Sequence, residues 1–363
     1  MLIFRYLARE VLQVMLAVSI SLLLITMSSR FVKYLGQAAS GDLATEVLFS
    51  IMLYRIPGFL ELIIPLALFL GILLAYGRLY VESEMVVLSA CGVSENRLLG
   101  FTMVVSFVVA ALVAFLSFYV SPEGAEKVHN IFNNPKTYSQ VNTLVEGRFQ
   151  SSDGGKRVTY AESIGPAGAM MHNIFISETN RREGSGDISV VVAERGQIVR
   201  RQGNRYLQLE EGYRFTGAPG KQAMEITQFS AYGQLMQEPQ DKVRKLLKVE
   251  ARPTKALMQS DLPQDIAALQ WRLSLPILVP IVALIALSLS RTDHRRGRYS
   301  KLLPAIVIYL AYLLLLSAAR SSVEDSDGGS TSTIWLIHLL FLGVGLAMFY
   351  FDALRAKLAE KRA

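Results

Sequence analysis

Three groups of residues have the types and spacing to do chemistry. The first is Glu82 with Glu84 in the stretch Arg78–Gly92, RLYVESEMVVLSACG. On a helix turning about 100° per residue, Val81, Met85 and Leu88 share a narrow arc, Cys91 lies at its edge, and Glu84 falls between Leu88 and Cys91. A carboxylate set into the border of an apolar stripe suits docking into a groove with an apolar floor and a basic rim. The plainer alternative is a helix lying on a membrane surface. Such helices prefer Lys and Arg on their polar side, and acid beside an anionic leaflet is unfavourable. The second group is Arg30 with Lys33, three apart, which project from one side of a continued helix. Paired cations suit a multi-oxygen phosphate, whereas a single basic chain at a helix end often only reaches for water. The third group is Arg55 and Glu61, set inside an apolar run, where charge must face protein or water. Six residues put them about 240° apart on a helix, so they do not pair with each other.

Catalytic constellations are missing from the sequence. GAPGKQ and DGGKR lack the spacing and following residue of a phosphate-binding G-x-x-x-x-G-K-[ST] loop. ATP is therefore expected to bind and be hydrolysed in a partner, and no cofactor or catalytic residue is expected in this chain. There is no H-E-x-x-H and no G-x-S-x-G. The four histidines, His129, His172, His294 and His338, have no metal-ligand spacing, so no metal is expected. His338, in the last apolar run, reads as a packed or hydrogen-bonded histidine. The single cysteine, Cys91, excludes an internal disulfide framework.

These residues must be positioned by membrane spans. The 363 residues are 52% hydrophobic and 18% charged, against roughly a quarter charged in soluble domains. The net charge of +7 flanks apolar runs, which is an orientation signal rather than a nucleic-acid surface; no nucleic-acid partner is expected. Uncharged runs mark spans at Val11–Ser29, about Val47–Gly77, Leu98–Pro122, Leu273–Ser290, Leu302–Ala319 and about Ile334–Phe351, near the roughly 20 residues a crossing needs. Pro57 and Pro65 give the long second run a reason to kink. The first run is too long for a cleavable signal peptide. Six spans put both termini on one side. With the N-terminus inside, the inner segments hold Arg5, Arg9, Arg78, Arg97, Arg291, Arg295, Arg296, Arg298, Lys301, Arg355, Lys357, Lys361 and Arg362, and the outer short loops only Arg30, Lys33 and Arg320. The positive-inside bias makes both termini cytoplasmic.

The polar interval from about 121 to 265 then faces outward. It reads as β: GKRVTYAES, NIFISET, DISVVVAERGQIV, RYLQLEEGYRF and AMEITQFSAYG are short β-branched and aromatic runs parted by turns such as RREGSGD and RQGN. Alternation of Ile188, Val190 and Val192 predicts one buried face. The fold class is an α-helical membrane protein with six transmembrane helices plus an all-β, jelly-roll-like periplasmic domain between helices 3 and 4. Its parts are 1–120 with a cytoplasmic helix at about 78–96, 121–265, and 266–363. Ser260 or Asp261, with Pro263 early, predicts a capped helix start, and Trp271 sits where an interfacial anchor belongs. The run RTDHRRGRYSK fits phospholipid contact or a cytoplasmic partner.

The opening RYLARE, the helix GRLYVESEMVVLSACGVS, LQWRLSLP and RGRYSKLLPAIVIYL together resemble the lipopolysaccharide export permease family (LptF/LptG) over the whole chain, with ESE and ACG nearer its F branch. The resemblance implies an inner-membrane permease subunit of an ABC transporter. It would extract lipopolysaccharide from the outer leaflet and pass it to a periplasmic β-jelly-roll bridge (LptC/LptA-like). Its partners would be an LptG-like second permease subunit, an LptB-like cytoplasmic ATPase dimer and membrane lipid. Glu84, with Val81, Glu82, Met85 and Leu88, would dock the ATPase. Arg30 and Lys33 would contact the lipid phosphates. A competing expectation is a membrane-anchored scaffold that transmits force from an ATPase and moves no lipid; the outward basic pair favours transport.

Overall fold

The computed structural model describes residues 2–39, 45–133, 146–152, 157–165, 170–180, 187–201, 204–218, 224–235, 249–291, 301–324 and 332–360. The basic run at 292–300, Lys361, Arg362 and most of the RREGSGD turn lie outside these residues. Six candidate spans are present, as expected. They are α1 (Leu2–Ala39), α2 (Thr45–Val81), α4 (Glu95–Phe115) running on into α5 (Ser121–Asn133), α7 (Pro263–Ser290), α8 (Leu302–Glu324) and α9 (Thr333–Glu360), with short helices α3 (Glu84–Ala90) and α6 (Thr254–Leu257) between them. Each outruns its uncharged stretch, because the backbone ladder continues through polar flanking residues. α2 continues through Pro57 and Pro65, although each proline removes one ladder hydrogen bond.

The helical unit comprises Met1–Phe31, Ser50–Asn130 and Leu246–Ala363. The segment 249–265, grouped by sequence with the outward domain, therefore packs with the helices. α7 is the axis of this unit. Leu275, Leu278, Val279, Val282, Ile285 and Leu287 are buried, and α4, α8 and α9 pack around it. The expected side-chain cap of α7 does not form. Leu262 is its N-cap with Pro263 at the first turn, and Ser260 instead donates to the Asp265 carboxylate at 2.6 Å. By contrast α1 leaves one flank of apolar residues uncovered, including Leu16, Leu24 and Ile25.

The second unit, Val32–Phe49 with Ile131–Lys245, holds the predicted all-β domain. Strands β1 (Gln150–Ser152), β2 (Arg157–Ile164), β3 (Met171–Asn180), β4 (Asp187–Arg201), β5 (Asn204–Gly217) and β6 (Met224–Leu235) form one antiparallel sheet in sequential order. The ladder skips one pair at the same level between every neighbour from β2 to β6, leaving a line of unpaired levels through Glu162, Asn173, Glu194, Glu211 and Ser230. Asn173 and Glu211 have positive φ there, a conformation that turns a strand out of its pleat. The sheet is creased along this line. Inside the crease lie Ala161, Ile174, Ala193 and Leu209, all buried. The expected inward face of β4 is the wrong one: Val191 and Ala193 are buried and Val192 is exposed. The run Val190–Val192 is apolar on both faces, so alternation alone cannot fix which parity points inward.

Gly212 sits beside the crease, where an added Cβ would come 2.2 Å from the Val192 carbonyl oxygen. Gly212→Val should loosen the sheet by about 1–3 kcal/mol, the usual cost of overpacking. Limited proteolysis of the full chain in detergent checks this: cleavage within 150–235 should speed up while the helical fragments persist.

Candidate functional site

Within the helical unit, α1, α2, the start of α5 with the turn before it, α7 and α8 converge on a cavity of about 270 Å³. Its lining includes Arg30, Arg55, Arg272, Arg320, Glu61 and Glu250. Small residues make the convergence possible. A Cβ on Gly124 would lie 2.3 Å from the Tyr54 carbonyl oxygen, and one on Gly58 would meet Ser121 Oγ at 3.4 Å, so α2 and α5 cross closely.

A buried guanidinium forms the cavity floor. Arg272 is nearly inaccessible, and its Nη1 donates to Thr254 Oγ1 at 2.9 Å while Nη2 donates to the carbonyls of Glu250 at 2.8 Å and Arg252 at 2.9 Å. Thr254 Oγ1 donates onward to the Phe118 carbonyl at 2.8 Å. That carbonyl lies in the π turn Leu116–Val120 joining α4 to α5, where the widened ladder frees acceptors for tertiary bonds. Ser117 Oγ, in the same turn, donates to the Arg272 carbonyl at 3.4 Å. Glu61 lines the same cavity as Ser117 and Ser121. Arg252 pairs with the buried Asp265. One segment, 249–258, is thus stitched to α7 and to the π turn.

The cavity's cations are held in two ways. Arg55 pairs with Glu250 at 3.4 Å, so it bonds neither Glu61 nor open space. Arg30 lies 5.5 Å from the Phe59 ring centroid and Arg320 5.2 Å from that of Trp271. Among the described residues neither meets a carboxylate at ion-pair distance. Aromatic faces orient a guanidinium without neutralising it, so both keep their donors for an anion. Lys33 is exposed further along α1 and does not line the cavity. Arg272 and Arg320 were not picked out from sequence. Arg320 carried a signal, since with Arg30 and Lys33 it runs against the charge bias of the loops. Trp271, read from sequence as an interfacial anchor, is the ring beneath Arg320.

At the other end of α2 the expected docking helix is broken. α2 stops at Val81, Ser83 takes a left-handed φ of 63°, and α3 runs only from Glu84 to Ala90. A second left-handed residue, Gly92, ends the segment before α4. The break rotates the apolar arc away from its expected direction. Met85 is buried in the bundle core and Leu88 is half-buried against it. Val86 and Val87, each 59% exposed, and Val81 form the outward apolar surface. Glu82 pairs with Arg78 at 3.7 Å, and Glu84 accepts from the Tyr6 hydroxyl at 2.7 Å. His338 is buried with Nδ1 2.5 Å from the Tyr312 hydroxyl, a packed histidine.

Six apolar helices with a β domain inserted after the third have the architecture of a multi-pass membrane protein. The chain belongs to the LptF/LptG family of lipopolysaccharide export system permeases, whose model matches residues 5–350. It is 30% identical, over 375 aligned residues covering the whole of both chains, to the lipopolysaccharide export system permease protein LptF of Escherichia coli (strain K12) and to that of Shigella flexneri. It is a multi-pass inner-membrane protein.

Arg272→Met would leave the Glu250 and Arg252 carbonyls and Thr254 without their donor, each orphaned group costing about 1–3 kcal/mol to the extent that it is buried. The expected result is a lower thermal midpoint for the detergent-solubilised protein and new proteolytic cleavage within 249–258. Arg272→Lys should rescue little, because an ammonium cannot reproduce the planar fork.

Proposed function

We propose that the chain is the permease subunit of an ABC transporter that takes lipopolysaccharide from the outer leaflet of the inner membrane and hands it to a periplasmic bridge. A separate cytoplasmic ATPase supplies the energy, and this chain carries no cofactor. The observation that carries this reading is the convergence of Arg30 and Arg320 on one cavity with no carboxylate, among the described residues, at ion-pair distance from either. A headgroup phosphate fits a cavity of about 270 Å³; acyl chains do not, and would stay along the uncovered apolar flank of α1. Lys33 adds a cation one turn beyond Arg30. Family membership supports the substrate class, and the positive-inside bias supports placing the cavity end outward with both termini in the cytoplasm.

The cytoplasmic end then presents Glu84 and Glu82 beside Val81, Val86 and Val87 to the ATPase dimer. Met85 and the inner side of Leu88 fix this surface to the bundle. The uncovered flank of α1 faces the second permease subunit and lipid. β6, the last strand of the sheet, exposes Met224 and Ile226. Its outer edge suits strand addition by the β bridge, since unpaired strand edges invite pairing.

Arg30→Glu with Lys33→Glu should strongly reduce glycolipid crosslinking and export while the complex still assembles, and Arg320→Glu should do the same. Export at the normal rate from either variant would place the headgroup elsewhere. Glu84→Ala should weaken retention of the ATPase or its lipid-stimulated turnover, by about 2–5 kcal/mol if its basic partner is desolvated and less at a rim. Glu84→Gln should be milder. Normal assembly and turnover of the alanine variant would remove Glu84 from the docking role.

A further inference from the structure

The residues that make RYLARE a recognisable opening are the ones that grip the docking segment. Tyr6 donates to Glu84 Oε2 at 2.7 Å. One turn later Glu10 accepts from Arg78 at 2.5 Å, and Arg78 also holds Glu82. The two contacts on α1 therefore straddle the left-handed break at Ser83. Leu7 and Val11, each the residue after one of these contacts, are buried in the core. At Gly71 a Cβ would lie 3.1 Å from the Val11 carbonyl oxygen, so α1 is seated closely on α2 at this end. Beyond Met15 one flank lies open, with Leu16, Ile20, Leu24 and Ile25 exposed, while Ser19 is buried and Val18, Leu22, Leu23 and Met27 are half-buried on the other. The next fixed point is Arg30, at the cavity. The helix is continuous over this stretch and contains no proline.

From these contacts we infer that Tyr6 is a positioning residue that ties the docking helix to α1, making α1 the rod that carries movement of α3 to the cavity. The inference rests on the proposed function. A carboxylate has two oxygens and about four acceptor sites. Tyr6 occupies Oε2, and Oε1 has no hydrogen bond among the described residues, so a basic partner can engage Glu84 without displacing the phenol. The partner would then act through Glu84 on α1 itself. The 24 residues from Tyr6 to Arg30 span about 36 Å as a helix, which covers the distance from the docking end to the cavity in a single element. A rod seated closely at one end and open along one flank beyond it shifts with little loss of core packing.

The test uses the complete transporter, with both permeases and the ATPase, in proteoliposomes containing lipopolysaccharide. Tyr6→Phe keeps the ring and removes only the donor. Glycolipid released per ATP hydrolysed should fall at least about fivefold, the low end for coupling between sites, with the ATPase still bound in normal stoichiometry. In a Cys91→Ser background, spin labels at Leu24 on α1 and Leu336 on α9 should show a nucleotide-dependent distance change that Tyr6→Phe diminishes. An unchanged release ratio together with an unchanged label shift overturns the inference. So does loss of the ATPase from the variant complex, which would reduce Tyr6 to shaping the docking surface. If the wild-type complex releases no glycolipid, the transport reading fails; the label shift then still decides whether Tyr6 links α3 to α1.

Discussion

The guanidinium of Arg272 is the interaction on which the helical unit's outer architecture depends. A buried charge is costly unless every donor finds an acceptor. Here the acceptors come from one returning segment, 249–258, and the charge sits among Glu61 and Glu250. Three otherwise separate features follow. The π turn supplies the carbonyl that Thr254 needs once Thr254 serves Arg272. Glu250, held by its backbone, offers its carboxylate to Arg55. With Arg55 paired to Glu250 and Arg272 held by the returning segment, the cavity's remaining cations, Arg30 and Arg320, lie over aromatic rings. The site is positive because its structural arginines are paired and its other two are only oriented.

The two ends of the bundle use charge differently. Around Arg272 the partners are largely backbone carbonyls, which neither titrate nor leave, so the arrangement is fixed. Around Glu84 the partners are side chains at a partly exposed surface: Tyr6, Arg78, Glu10 and Glu82. Such pairs are individually weak and exchange readily, which is what a surface that meets a separate protein requires. α1 belongs to both ends and is fully packed at only one.

Much of the fold was legible because hydropathy reports spans directly and β-branched runs parted by turns report strands. What sequence could not give was direction. At Val190–Val192 both parities are apolar, so the buried face of β4 came out reversed. At Val81–Leu88 the helical arc was drawn through a residue, Ser83, whose left-handed backbone breaks the helix; nothing in the local composition demands that break. The candidate site was half visible. Arg30, Arg55 and Glu61 stood out as charges in apolar surroundings. Arg272 lay just outside an apolar run and looked like an ordinary flanking charge, and Glu250 and Thr254 became partners only through the return of the chain from the sheet. The cap expected at Ser260 or Asp261 did not form because the N-cap position falls on Leu262, while the Ser260 oxygen accepts from the Leu262 N–H outside the helix and its proton goes to Asp265.

The crease through Glu162, Asn173, Glu194, Glu211 and Ser230 has a consequence for how the protein is made. Two-layered sheets are often closed by strands that cross over between layers, so distant segments must meet before either is stable. Here long strands are bent at one level, and every neighbour in the sheet is also a neighbour in sequence. Contacts stay local, and local contacts form fast because little loop entropy is lost in closing them. An insertion emerging after the third span can complete its hairpins one after another, in chain order, before the fourth span has been synthesised.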